Sequence, residues 1–478
     1  MAKNKNSKGY IRKEIYVVAG LFFLVFLAMI IYLTYYLNVG AKNFIYNSYN
    51  SRFTVFADDV TRGTIYTADG KVIAKTTYDD EGNEVRTYPD DRLFSHAVGY
   101  VAKGMSGLEA KYSFDLLKSH ISIVDQINNN LSGKKSMGDS LYTTLDYEAQ
   151  KASYKGMGMY DGAVIAIEPD TGKVVVMVSK PDYDPNTIDI YWDDINDESS
   201  NSSVLLNRAI SGAYPPGSTF KIITTLAYLR DNDGDDSFDY DCNGYIDIGD
   251  YRIHCSSNKS HGNEDLLTAF KNSCNSAYAY IGLGLDKSTF QSTAEDLLFN
   301  KSLPTDLGST KKSKFSIDED TTDSIIGQTA IGQGDTTVSP LHMCMLVSAI
   351  ANNGILMEPY MGDRIVNADG KTISTTSQVK YGKIMEESEV SLLKQYMAAV
   401  VMDGTADDVD FGDLTVYGKT GTAEYTSDKD ETHSWFVGYA VNSDGRKLAI
   451  AVIMEGAGYG SKYAAPLAAD VFKAYFDK

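Results

Sequence analysis

Residues Ile15 to Leu37 carry no charge and are mostly apolar. As a helix rising about 1.5 Å per residue, this run is about 35 Å long, enough to cross a bilayer core of about 30 Å. Lys3, Lys5, Lys8, Arg12 and Lys13 precede it. The positive-inside bias then predicts a short cytoplasmic tail (1–14), a membrane helix (15–37) and everything after Leu37 outside. Tyr32, Tyr35 and Tyr36 suit the outer interface, although a chain with 34 tyrosines places some there by composition alone. A cleaved signal peptide, processed at Val39-Gly40-Ala41, is the competing reading; its apolar region is normally only about 7–15 residues. Both readings export the bulk of the chain.

The exported part is long enough for two or three domains within the 478 residues, and 43% hydrophobic residues supply a large core. A net charge of −20 speaks against nucleic acid as a partner, because phosphate contacts need clustered Lys and Arg. Four cysteines (Cys242, Cys255, Cys274 and Cys344) are too few for a disulfide framework. Cys242 and Cys255 can form one bridge in an oxidising compartment, but their spacing does not decide it. The six histidines are scattered, with no His-Glu-x-x-His and no Cys-x-x-Cys, which speaks against a zinc hydrolase. No cofactor is expected.

From 38 to 155 the patterning is mixed. Thr64-Ile65-Tyr66, Asp69-Gly70 and Lys71-Val72-Ile73-Ala74 predict a hairpin, since Asp-Gly supplies the positive φ of a tight turn. Ser140 to Leu145 predicts another strand. This region reads as a small α+β module near the membrane. In the main domain, 156–478, Ala163 to Ile167 and Lys173 to Val178 form one hairpin, turned at Asp170-Thr171-Gly172. Ser434 to Val441 and Lys447 to Met454 form a second, turned at Asn442 to Gly445. The stretch between is largely helical. Strands at both ends predict one sheet assembled from the two termini of the domain.

Three motifs carry chemistry. Ser218-Thr219-Phe220-Lys221 follows Tyr214-Pro215-Pro216-Gly217 and opens the apolar stretch Phe220 to Leu229. Ser218 and Lys221 therefore share a face in the first turn of a helix. A serine hydroxyl needs a nearby base, and a lysine serves once burial or another cation lowers its pKa. Five other Ser-x-x-Lys matches begin at Ser132, Ser256, Ser309, Ser377 and Ser391, but none follows such a break. Ser273-Cys274-Asn275 is a common pattern and reads as a loop on its own. Lys419-Thr420-Gly421, followed by Thr422, is the only Lys-Ser/Thr-Gly. Its Gly would let a substrate backbone come close, and its Lys and hydroxyls can hold a carboxylate.

In this order the three motifs resemble the set of β-lactamases and penicillin-binding proteins, with Cys274 where that set has Asp. Gly162 to Gly172, Pro181 to Asn186, Asn207-Arg208-Ala209, Gly332-Gln333-Gly334 and Ser339-Pro340-Leu341 resemble the transpeptidase domain of that family. Arg62-Gly63 and Gly107-Leu108-Glu109 resemble the membrane-proximal module of its class B, monofunctional members. The resemblance implies an α/β (α+β) transpeptidase domain: a central antiparallel sheet flanked by helices, plus a helical subdomain. It implies a pedestal module and no glycosyltransferase domain.

The resemblance further implies that Ser218 attacks the D-Ala-D-Ala carbonyl of a peptidoglycan stem peptide and that Lys221 takes its proton. Ser273 relays a proton to the leaving D-Ala, and Asn275 positions Lys221 and substrate. Lys419, Thr420, Gly421 and Thr422 form the carboxylate subsite, and the Ser218 and Thr422 N–H groups the oxyanion hole. β-Lactam antibiotics acylate such a serine. A separate glycan polymerase in the membrane is the expected partner. A D,D-carboxypeptidase or β-lactamase on the same fold is the alternative. A non-catalytic sensor or structural component of the division or elongation machinery is a third reading. One local pattern stands apart: Asp239, Asp241, Asn243 and Asp250 match a calcium loop that ends in Asp rather than Glu, against the plainer reading of an acidic hairpin.

Overall fold

The computed structural model describes residues 7–35, 59–200, 202–424 and 432–477. Helix α1 (Ser7–Tyr35) contains a stretch from Lys13 to Tyr35 that is long and apolar enough to cross a membrane and is exposed along its described length. Lys3, Lys5, Tyr36, Leu37 and the segment 38–58 lie outside the described residues.

The two expected hairpins form one sheet. Strands β1 (Gly162–Ile167), β2 (Val174–Lys180), β3 (Thr415–Glu424), β4 (Thr432–Val441) and β5 (Lys447–Met454) line up as β3-β4-β5-β1-β2. Every pairing is antiparallel, and Ala451 sits opposite Ile165, which joins the two chain ends of the domain. The sheet is buried on both faces, so its strands are near-continuous apolar runs. Successive side chains still alternate. Val164, Ala166, Val176, Ile450 and Val452 pack with Met157, Leu467 and Phe472 beneath helices α2 (Tyr147–Gly156) and α6 (Ala464–Phe476). Ala163, Ile165, Ala449, Ala451 and Ile453 belong to the larger core shared with α5 (Pro340–Ala351). The fold is thus the expected α+β arrangement of an antiparallel sheet between helices, with a mainly helical subdomain above it.

The module before residue 155 is less self-contained than its sequence implies. Ile65–Tyr66 pairs antiparallel with Val72–Tyr78 as the Asp-Gly turn predicts, Ile65 opposite Ala74. Ser140–Thr143 lies beside it in parallel. Its other neighbour is Gly362–Val366, from the far side of the main domain, followed by Thr372–Thr375. Arg62 and Glu109, far apart in sequence, meet in a buried ion pair at 2.7 Å; Arg86 binds the other carboxylate oxygen at 2.6 Å.

The calcium-loop pattern forms something else. Tyr240–Cys242, Tyr245–Ile248 and Tyr251–His254 are short strands, and Gly249-Asp250 is the turn between the last two. Asp239, Asp241, Asn243 and Asp250 therefore do not form a calcium loop: the three carboxylates make no group with metal-ligand geometry, and Gly244 and Gly249 take the positive φ of turns. Among the described residues, the one cluster with metal-ligand geometry is Cys242, Cys255, His261 and Cys274.

Candidate active site

Ser218 lies in a single 3₁₀ turn, Gly217–Phe220, that leads into helix α3 (Lys221–Asp231). The turn is fixed from below by Phe220, which stacks on Phe315 and meets Phe299 edge-on. Gly217 donates its N–H to Gly332 O at 2.8 Å. A Cβ on Gly332 would stand 2.1 Å from Gly217 O, so only glycine lets these loops touch. Ser218 itself is half-buried and its Oγ is bonded to no described residue.

Strand β3 runs along the turn. A Cβ on Gly421 would lie 2.8 Å from Thr219 Cγ2 and 3.0 Å from Trp435 Cβ. The glycine of the Lys-Thr-Gly motif therefore lets this strand approach the Ser218 turn, and the edge position of β3 leaves one side of it unpaired by any described strand. The Gln333 side-chain amide brackets the end of that edge, donating to Glu424 O at 3.2 Å and accepting from Glu424 N at 3.1 Å. Thr420 Oγ1 meets Thr405 Oγ1 at 2.5 Å, while Thr422 stays partly exposed.

Both lysines are fully buried. Lys221 Nζ donates to Ser273 O at 2.7 Å, Asn275 Oδ1 at 2.8 Å and Ser273 Oγ at 3.2 Å. Lys419 Nζ donates to the same Ser273 Oγ at 2.9 Å and to Thr420 O at 3.2 Å. Burial pulls the Lys221 ammonium down to about 8. Burial and the neighbouring charge of Lys221 push Lys419 well below the usual lysine range. Each lysine also faces an aromatic ring, Lys221 over Tyr278 and Lys419 over Phe270.

Ser273 is held at φ +54°, in the left-handed region, immediately before helix α4 (Asn275–Gly284). Cys274 caps that helix through its sulfur, and Asn275 Nδ2 donates to His254 O at 2.9 Å. The three motifs of the sequence thus meet in space: the turn of Ser218, the lysines on either side of Ser273, and the strand of Lys419 to Thr422. The tight contacts run Lys221–Ser273–Lys419 rather than Lys221–Ser218. Catalytic hydrogen bonds are often long without substrate. Sequence reasoning missed Thr405, Tyr278 and Phe270, which no motif marks, and had Gln333 only within a resembling segment.

An accessible serine beside two buried, mutually repelling lysines is the arrangement of a serine acyltransferase. Residues 162–473, more than half of the chain, match the penicillin binding protein transpeptidase domain, and residues 62–141 match the penicillin binding protein A dimerisation domain. The chain belongs to the penicillin-binding protein transpeptidase family. It is similar to the peptidoglycan D,D-transpeptidase PbpA of Mycolicibacterium smegmatis, 29% identical over 85% of this chain and 87% of that one. Penicillin-binding protein A from M. tuberculosis, solved as its penicillin G acyl-enzyme complex, superimposes with a TM-score of 0.77 at 26% identity, covering 87% of this chain and 99% of that one. The D,D-transpeptidase domain of a peptidoglycan glycosyltransferase from Eggerthella lenta gives 0.77 at 28% identity, covering 88% and 99%.

Proposed function

We propose that the chain is a class B peptidoglycan D,D-transpeptidase in which Ser218 forms the acyl-enzyme with a stem peptide and with β-lactams. The observation that carries this is the shared Ser273 hydroxyl, bonded at once by two buried lysines next to the Ser218 turn. Two ammonium groups so close disfavour joint protonation, so one lysine is available as a base. Lys221, one helical turn from Ser218, takes the Ser218 proton as Oγ attacks the carbonyl carbon. Ser273, between the lysines, passes a proton to the departing D-Ala nitrogen, and Asn275 holds Lys221 in place. Lys419, Thr420 and Thr422 bind the terminal carboxylate along the free edge of β3, where Gly421 permits close approach. The N–H groups of Ser218 and Thr422 hold the oxyanion, an interaction worth about 3–4 kcal/mol per donor. An amine of a second stem peptide then takes the acyl group and regenerates the Ser218 hydroxyl.

In this reading 1–14 is cytoplasmic, 15–37 is the anchor, 38–155 is the pedestal and 156–478 is the catalytic domain outside the membrane. A separate glycan polymerase supplies the strands to be cross-linked. The test is to incubate the full chain in detergent with fluorescent penicillin beside Ser218→Ala and follow the label over hours. A long-lived adduct absent from the variant is expected. Rapid loss of label with hydrolysed drug would indicate a β-lactamase, and no label on folded protein would indicate a structural role.

A further inference from the structure

Ser273 and Asn275, both bonded to Lys221, flank a cysteine that has its own company. The Sγ atoms of Cys242 and Cys255 lie 3.7 Å apart, as do those of Cys255 and Cys274. His261 Nδ1 lies 3.4 Å from Cys242 Sγ, and the four ligand atoms all fall within 4.8 Å of one another. A tetrahedral zinc ion with Zn–S of about 2.3 Å and Zn–N of about 2.0 Å requires S···S of about 3.8 Å and S···N of about 3.5 Å. A disulfide would instead draw two sulfurs to about 2.05 Å and leave the third cysteine odd. All four cysteines are free thiols here. The three cysteines of the cluster are buried and His261 is half-buried.

The surroundings are those of a thiolate site. Cys242 Sγ accepts from Gly244 N at 3.4 Å and from Ser276 Oγ at 3.1 Å, and Cys274 Sγ accepts from Ala277 N at 3.5 Å. Such outer hydrogen bonds orient metal-bound sulfur. Gly244 is required: at φ +90° its Cβ would stand 2.7 Å from Asn258 O. The local fold also needs a clasp. Cys242 and His261 sit where Tyr240–Cys242 pairs with Gly262–Glu264, and Cys255 follows the pair Tyr245–Ile248 and Tyr251–His254. Two-stranded ribbons like these are marginal in water by themselves.

We propose that Cys242, Cys255, His261 and Cys274 bind one zinc ion, and that the metal fixes the Ser273–Asn275 segment against Lys221. Binding takes up Zn²⁺, releases up to three thiol protons and leaves three thiolates and a neutral imidazole on the metal. With four protein ligands the site is closed and structural; no position remains for substrate. The four residues position Ser273 and Asn275 and take no part in acyl transfer themselves.

The test uses the full chain purified in detergent under reducing conditions, equilibrated with zinc and cleared of loosely held metal. Elemental analysis should find about one zinc per chain, falling below half in Cys242→Ser and in His261→Ala. Cobalt(II) in place of zinc should give the intense visible bands of a tetrahedral thiolate complex. Neither readout depends on the Ser218 reaction, so failure here is separate from failure of the transpeptidase assignment. Wild-type protein without zinc, metal indifferent to both substitutions, or loss of two titratable thiols to a disulfide would overturn the site. Stripping the metal should slow penicillin acylation more than about tenfold, with recovery on adding zinc; an unchanged rate would overturn the positioning role.

Discussion

Lys221 and Lys419 converge on one hydroxyl, and neither has a carboxylate partner among the described residues. Burial is the largest influence on Lys221 and lowers it, with Cys274 and Cys255 pulling the other way. In the proposed mechanism, acylation needs the neutral amine of Lys221. With Lys221 near 8, the ammonium form dominates below that pH and the amine above it. The penicillin acylation rate should climb about tenfold per pH unit below pH 8 and level off above it. A flat profile from pH 6 to 9 would remove Lys221 as the base. Lys221→Arg keeps the charge but cannot release the proton. It should slow acylation by about 10²–10⁴-fold, the usual worth of a general base, in a folded protein. The motif residues were legible in the sequence because Ser218 and Lys221 are one helical turn apart and Lys419-Thr420-Gly421 is unique. The metal cluster was not: its ligands are separated by 12, 5 and 12 residues, and only the pairing of short strands brings them together. A search for close Cys-x-x-Cys pairs passes over it.

The elements that place Ser218 are held by glycines where two backbones touch. Gly332, at φ +76°, is the sharpest case, since a Cβ would meet Gly217 O at 2.1 Å. Gly332→Ala should cost about 1–3 kcal/mol for the left-handed conformation alone, and the collision displaces the Ser218 turn as well. The variant should melt lower and, at a temperature where it remains folded, take up penicillin more than about tenfold more slowly. Wild-type labelling by a folded Gly332→Ala would show that this contact does not set the turn. Most strands could be read in advance: Gly162–Ile167 and Lys447–Met454 are unbroken apolar runs bounded by Gly or Asp-Gly turns. The short ribbons between 240 and 264 could not. Asp239 to Asp250 presents the spacing of a calcium loop, yet Gly244 and Gly249 adopt the positive φ that ribbon turns require. The local pattern was real, but backbone geometry rather than ligand chemistry used it.

At the scale of the molecule, the module before residue 155 and the transpeptidase domain share structure that linear reading separates. The strand Gly362–Val366 completes the module's sheet opposite Ser140–Thr143. One continuous core runs from Ile65 and Leu141 through Leu145 to Ile165 and Ile453. A boundary drawn near residue 155 follows the change in sequence pattern, but it cannot reveal a strand returning from as far downstream as Gly362. The shared core has a thermodynamic consequence that the buried ion pair can expose. Burial raises the Glu109 carboxyl, but Arg86 and Arg62 outweigh it and hold the group ionised below its ordinary range. Glu109→Ala strands two largely buried guanidinium groups, a loss of about 3–5 kcal/mol. Unfolding entropy of about 2.1 cal/mol/K per residue converts this into a fall of about 3–5 °C for a unit of this size. Because the core is continuous, calorimetry should show the principal transition moving down as one peak, with penicillin labelling lost at the same temperature. A separate early transition that leaves labelling intact would mean that the module unfolds by itself and that the shared sheet does not couple the two parts.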